Sequence, residues 1–342
     1  MLKPGVSVVV CCHNSVPRLP DTLRHIAQQK VRRDVAWELI VVDNASTDDT
    51  AQQAALLWKQ FGTPAPLRVV HESTPGLASA RVAGVHAAQH EFISFVDDDN
   101  WIDDNWIETV SNVLSNNPQV GACGGKNTAA FETTPPEWFY TVQHLFAVGE
   151  QANKAGVLPD EKYELWGAGL SIRHAAWAEM EISGFKSLLS DRAGINLSSG
   201  GDAEICFALK IMGYHLYYTP ELQLKHFIPS NRLQWDYVQR LAVGFADARF
   251  TLTSYDYFYR RPTLIYKYPY LYLILYLLYN LGLLMRATLN KILAGPQSRS
   301  KAHVEWLRRL NMVRSFRWQS YRKLLAVMET QVFALKRNSA AL

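Results

Sequence analysis

The sequence predicts an α/β protein, with a mostly parallel sheet covered by helices on both faces and a C-terminal extension that is first hydrophobic, then basic. Three observations predict it. Apolar runs rich in β-branched residues alternate with segments of helical spacing through the N-terminal part of the chain, as strands joined by helical crossovers do. Polar clusters follow three of those runs, and right-handed crossovers place such clusters on one edge of a sheet. Past Pro262 the composition turns aromatic and apolar, then cationic. With 342 residues, 48% of them hydrophobic, the chain can bury a substantial core in one large or two smaller domains and is not a disordered chain.

Val6–Cys12 reads as a continuous buried strand. Leu19–Gln29 follows with Leu19, Leu23 and Ile26 at helical spacing, and Glu38–Val42 is a second strand. A polar loop, Asp43-Asn44-Ala45-Ser46-Thr47-Asp48, precedes a helix over Asp48–Trp58. Leu67–Val70 is a third strand, a Ser-Thr-Pro-Gly turn leads into a helix of small residues over Leu77–Ala88, and Phe92–Val96 is a fourth strand. Between residues 118 and 230 the elements shorten. Gly201 and Asp202 offer cap chemistry for a helix over Ala203–Met212, and Tyr214–Thr219 and Leu222–His226 read as two short strands. There is no internal repeat and no low-complexity stretch.

Tyr268–Met285 holds no charged residue over 18 positions and contains five tyrosines and Asn280. That is short for a bilayer span, and tyrosine favours the membrane interface. An interfacial or re-entrant segment is the leading expectation, ahead of a spanning helix and a buried core helix. From Arg286 onward twelve Lys/Arg face two acids, a net of +10, while the preceding 285 residues carry 23 basic and 29 acidic side chains, a net of −6. Arg308, Arg309, Arg314, Arg317, Arg322 and Lys323 among Trp306, Phe316, Trp318 and Tyr321 suit a helix lying on an anionic surface, with an ordinary solvated helix as the competing reading. The four cysteines form no CxxC pair and no metal-ligand spacing, so they are expected to be reduced core residues of a cytosolic protein. Met1–Gly5 leads directly into the first strand, so no signal peptide is expected.

The most informative stretch is Phe92-Ile-Ser-Phe-Val-Asp-Asp-Asp-Asn100. Three adjacent carboxylates at a strand end repel one another unless a cation offsets them, and a hard divalent metal suits oxygen ligands. Taken alone, such a run is more often a solvated turn. Here His13-Asn14 and Asp43-Asn44 follow other strands at the same expected edge, where open α/β sheets bind ligands. That convergence favours a nucleotide-plus-metal site.

In order, Val-Ser-Val-Val-Val-Cys-Cys-His-Asn, Val-Val-Asp-Asn-Ala-Ser-Thr-Asp-Asp-Thr, Pro-Gly-Leu-Ala-Ser-Ala-Arg, Phe-Val-Asp-Asp-Asp-Asn, Trp-Gly-Ala-Gly-Leu and Gly-Gly-Asp-Ala-Glu-Ile resemble the family 2 glycosyltransferases of the GT-A fold. The resemblance runs to about His226. It implies a nucleotide-sugar-binding half over residues 1–118, an acceptor-binding half over 119–262 and a membrane-associating helical extension over 263–342. It also implies an inverting transfer of sugar from a nucleotide-diphosphate donor, a UDP-sugar by family habit, to a hydroxyl acceptor. A divalent ion, Mn2+ or Mg2+, would assist.

The resemblance also assigns roles. Asp43 matches the base-binding aspartate, with Asn14 and Asn44 beside it. Asp97 and Asp99 are the outer members of the Asp-x-Asp motif, Asp99 as direct metal ligand and Asp97 reaching the ribose or the metal; Asp98 is counted on the donor side although alternation along a strand would turn it away. Arg81 suits phosphate or a sugar hydroxyl. Asp202 matches the general base, with Glu204 in reserve because Gly201 stands where a glutamate commonly precedes that aspartate. His226 is a further metal ligand, and Trp138, Trp166 and Gly167 are expected on the acceptor side. The hydrophobic and basic tail points to a glycan or lipid-linked acceptor at the inner face of the cytoplasmic membrane, in cell-surface or exopolysaccharide assembly; nucleic acid is not an expected partner. A processive synthase would need a Gln-x-x-Arg-Trp segment and several spans, and neither is present. A nucleotidyltransferase would need a glycine-rich basic loop after the first strand, where Cys-Cys-His-Asn-Ser stands. A non-catalytic carbohydrate-binding descendant would be expected to have lost the acids. A dehydrogenase lacks its GxGxxG.

Overall fold

The structure is a computed structural model describing residues 2–162, 164–189, 191, 200–260, 268–295, 300–314, 322 and 325. Its centre is one sheet of nine strands: β1 (Lys3–Cys12), β2 (Trp37–Asn44), β3 (Leu67–Glu72), β4 (His90–Asp97), β5 (Asn100–Ile102), β6 (Val120–Phe131), β7 (Gly156–Val157), β8 (Ser171–Arg173) and β9 (His215–Ile228). The order is β3-β2-β1-β4-β8-β6-β9-β5, with β7 paired to β9. β1 to β4 run parallel, linked by α1 (Leu19–Ala27), α2 (Thr50–Gln60) and α3 (Leu77–Ala87).

Alternation along the strands sets the layers. Val8, Val10, Leu39, Val41, Phe92 and Val96 pack with Leu19, Leu23, Ala54 and Trp58 of α1 and α2, and with Trp106 and Val110 of α4 (Trp106–Asn116). The other face puts Val9, Ile40, Val42, Ile93 and Phe95 under α3, α6 (His174–Ile182) and α7 (Gly201–Ile211); the intervening α5 is one turn, Phe139–Val142. Burying both faces is why the strands read as continuous apolar runs.

Two expectations need correction. The sheet is parallel in its N-terminal half and mixed beyond it, because β8 runs antiparallel to both β4 and β6. β6 ends at the ligand edge, and the chain returns into the sheet from there rather than crossing over, so β8 points the other way. The two strands predicted over 214–226 are one strand, β9, running through Pro220. The β6–β9 register shifts between Gly124 and Lys126, opposite Tyr218 and Gln223. That irregularity lets proline, which cannot donate to a ladder, sit within a strand. Gly125 is required there, since a Cβ would lie 1.8 Å from the Leu222 carbonyl oxygen.

The extension is helical. α8 (Trp235–Arg260), α9 (Pro269–Ala294) and α10 (Lys301–Arg314) pack against one another. α9 turns Tyr272, Leu273, Tyr276 and Asn280 inward and leaves Ile274, Leu275, Leu278, Tyr279, Met285 and Ile292 exposed. Among the described residues it is one helix long and apolar enough to cross a membrane, over Tyr270–Ala294. Of the aromatic-basic run, Phe316, Arg317, Trp318, Tyr321 and Lys323 lie outside the described residues.

Candidate active site

The register brings the three polar clusters to one edge: Cys12 pairs with Asp43 across β1–β2, and Cys11 with Asp97 across β1–β4. A cavity of about 640 Å³ opens there. Its walls come from the ends of β1 and β4, from α3, the 144–151 and 162–168 segments, Asp191, α7, α8 and α10. Cys11 and Cys12 contribute buried thiols rather than nucleophiles; burial pushes the Cys11 thiol up to about 12.

The acid run divides. Asp98 turns to α1, where Arg18 holds it at 2.6 Å, the Ser15 hydroxyl donates to it, and its carbonyl accepts from Thr22. Burial and the neighbouring Asp99 nevertheless raise its carboxyl pKa. Asp98 therefore anchors the loop to α1. Asp99 is 3% exposed. Its Oδ2 accepts from Arg232 at 2.9 Å, and its Oδ1 accepts from Asn100 at 3.1 Å and lies 3.5 Å from His226 Nε2. Asp97 lines the cavity, and its backbone N–H donates to Asn100 Oδ1.

Metal fit is decided by the orientation of His226. Its Nδ1–H donates to the Phe146 carbonyl at 2.7 Å, leaving the Nε2 lone pair toward Asp99, as in metal-binding imidazoles. Arg232 approaches that same nitrogen at 3.4 Å. Among the described residues no group of three or more His, Cys, Asp or Glu is gathered for a metal. Asp97 thus does not join Asp99 and His226 in the expected three-residue set. Asp99 and His226 are left as the pair that would offer one oxygen and one nitrogen to an ion completed by substrate phosphate and water, and Arg232 would have to give way to it.

At the end of β2, Asp43 Oδ2 accepts from His71 Nδ1 at 3.1 Å, while its buried Oδ1 has no hydrogen-bond partner among the described residues. Asn14 and Asn44 are local fasteners. Asn14 Oδ1 accepts from the Thr47 backbone and hydroxyl. Asn44 accepts from Gly76 N–H at 2.8 Å and donates to the Thr74 carbonyl at 2.7 Å, fixing the entry to α3.

Arg81 of α3 is the centre of the opposite group. It is 4% exposed, donates to Asp191 Oδ2 at 3.1 Å and lies over the Phe95 ring. Burial alone would lower its pKa; Asp191, Asp202 and Asp97 reverse this and raise it. Asp202, in the first turn of α7, accepts Gly167 N–H on Oδ2 at 2.7 Å and Ala203 N–H on Oδ1 at 2.9 Å. At Gly167 a Cβ would come 2.5 Å from Arg81 Nη2 and 3.3 Å from Asp202, so any larger residue would displace the Arg81 guanidinium. The helix start is fastened by Asp191, whose Oδ1 accepts Gly201 N–H at 2.9 Å. The predicted cap role of Asp202 therefore falls to Asp191, which reaches the N-terminus from ten residues upstream.

Two expected site residues lie elsewhere. Glu204 is fully buried and accepts from Ser187 Oγ, the Leu188 and Leu189 N–H groups and Tyr255 Oη. With both oxygens engaged it is a structural hub and no reserve base. Trp138 packs edge-on against Trp235 in a separate apolar cluster rather than lining the cavity. Trp166 and Gly167 do line it. Arg232, Asp191 and Arg18 were not singled out from the sequence. Arg232, six residues past His226, was the most accessible of the three, whereas nothing local marks Asp191 as a partner of Arg81.

The sequence model of "Glycosyl transferase family 2" matches residues 7–172. The putative glycosyltransferase EpsH of Bacillus subtilis is 28% identical over 39% of this chain and 37% of that protein. The glucosyl-dolichyl phosphate glucuronosyltransferase of Haloferax volcanii is 22% identical over 68% of this chain and 72% of its own length. The succinoglycan biosynthesis protein ExoM of Rhizobium meliloti is 24% identical over 70% and 72%. Among solved structures, S. aureus TarS 1–349 in complex with UDP has a TM-score of 0.49 at 15% identity, covering 93% of this chain and 91% of that one. The matched residues, just under half of the chain, run from β1 through the acid run to β8 and carry the ligand edge described above, so this segment is similar to a glycosyltransferase family 2 domain.

Proposed function

We propose that the protein is an inverting glycosyltransferase that moves a sugar from a nucleotide-diphosphate donor, a UDP-sugar in the first instance, to a hydroxyl on a glycan or lipid-linked saccharide. The observation that carries this reading is the sharing of one cavity by the Asp97–Asp99/His226 edge and by Asp202, with the buried Arg81 near both Asp97 and Asp202. Donor recognition would fall to the unpartnered Asp43 Oδ1, suited to an imide N–H. Asp99 and His226 would hold a divalent ion, whose chemistry is to offset charge on the departing diphosphate.

Asp202 supplies the base. Each of its oxygens accepts one backbone N–H and keeps a second lone pair for an acceptor hydroxyl. As the acceptor oxygen bonds to the anomeric carbon, the sugar–phosphate bond breaks with its electron pair passing to the diphosphate, and the hydroxyl proton goes to Asp202. Arg81, held by Asp191, is the cation beside Asp202. The names of the relatives favour surface-glycan assembly, and the exposed apolar side of α9 favours work at the inner face of the cytoplasmic membrane.

The test combines nucleotide sugars with a base variant. UDP-sugars should raise the melting temperature, more so with manganese. Asp202→Asn should retain that shift and lose about 10²–10⁴-fold in transfer. Normal turnover by this variant removes Asp202 as base.

A further inference from the structure

The cavity holds cations that donor binding and proton abstraction do not use. They are Arg249 of α8, Arg308 of α10 and Lys162, and the His144 imidazole lines the cavity with them. Among the described residues the side chains of Arg249, Lys162 and His144 make no hydrogen bond. Arg308 makes one long contact to Glu305 Oε2 at 3.5 Å, while Arg309 donates to the other oxygen of that carboxylate at 2.6 Å. Arg308 Nε is buried and has no hydrogen-bond partner among the described residues. Buried guanidinium donors left unmade cost stability, so such a site calls for a ligand that completes it.

We propose that Arg249 and Arg308, supported by Lys162, form a phosphate-binding subsite for the acceptor, which therefore carries a phosphate ester. The inference rests on the glycosyltransferase reading and on Asp202 as base. Electrostatic influence divides the cavity: Asp99 and Asp98 act on Arg232, whereas Arg249, Arg308, Lys162 and Asp202 act on Glu164. The unused cations thus belong with the base. The three act on the single Glu164 carboxylate, whose pKa burial raises. Burial also lowers the pKa of His144, aided by Lys301 and Arg308, leaving it a neutral hydrogen-bonding group. Planar guanidinium forks match phosphate oxygens pairwise. The two arginines lie on α8 and α10, the second packed directly on α9 with its exposed apolar side. A phosphate joined to a hydrocarbon chain could place its head at the arginines and its tail along that helix.

The experiment uses the full chain in neutral detergent, with farnesyl phosphate, farnesol, inorganic phosphate and UDP plus manganese as probes. Farnesyl phosphate should bind wild type at least tenfold tighter than farnesol, and the Arg249→Gln/Arg308→Gln double variant should lose at least tenfold for farnesyl phosphate with UDP affinity unchanged. Inorganic phosphate binding with the same arginine dependence supports the subsite and identifies a free phosphate as sufficient; binding of farnesyl phosphate alone supports it with a lipid-borne one. Equal wild-type affinity for farnesyl phosphate and farnesol overturns the proposal without recourse to any variant. A parallel loss of UDP affinity in the double variant also overturns it, assigning the arginines to the donor. Wild type that binds farnesyl phosphate through these arginines but not UDP keeps the phosphate subsite and sinks the UDP-sugar reading.

Discussion

Gly167→Ala separates site geometry from fold stability. The added methyl would stand 2.5 Å from Arg81 Nη2, where ordinary contact begins near 3.4 Å, so the guanidinium must retreat by about 0.9 Å. A retreat of that size away from Asp191 would take the 3.1 Å bond from Arg81 Nη1 to Asp191 Oδ2 out to about 4 Å, beyond hydrogen-bonding reach. The displaced atom is the end of a long side chain, so the stability cost should stay at about 1–3 kcal/mol, a fall of several degrees in melting temperature. Function should suffer more. Misplacing a catalytic group by about 1 Å costs roughly 10²-fold, and Arg81 is the cation beside Asp202. The assay is sugar transfer or donor hydrolysis at saturating donor, with thermal unfolding in parallel. Turnover within twofold of wild type on a folded variant would refute the placement of Arg81 in the chemistry. A melting temperature lowered by more than about 15 °C would refute the argument that only a side-chain tip yields.

Other perturbations address separate parts. Arg232→Ala strips Asp99 of its guanidinium and should lower the melting temperature in chelator; manganese should narrow the deficit, and an equal deficit with and without the ion would exclude Asp99 and His226 as its ligands. Tyr255→Phe removes one of four donors to Glu204 and should cost about 1–3 kcal/mol in urea unfolding with nucleotide affinity unchanged; a change in affinity without destabilisation would show that Glu204 acts in the cavity. Leu275→Glu with Leu278→Glu adds charge to the exposed side of α9 and should abolish co-sedimentation with anionic vesicles; undiminished binding would move the membrane contact elsewhere.

The sequence by itself determined the parallel half of the sheet, the convergence of its polar loops and the family. Strand period, crossover handedness and the order of short motifs are local properties, readable one segment at a time. Asp99, Arg81 and Asp202 stand in such motifs and His226 follows a predicted strand, which is why the sequence singles them out as candidates. Tertiary structure decided how those residues are shared. Asp191 reaches Arg81 across 110 positions, and Arg232 reaches Asp99 across 133, separations that no window of sequence relates. It also removed Glu204 and Trp138 from the site: a carboxylate that meets four buried donors, or a tryptophan that meets Trp235, is claimed by packing. Charge type and strand end are written in the chain, but which charges pair is fixed only when distant segments fold onto one edge and desolvate together.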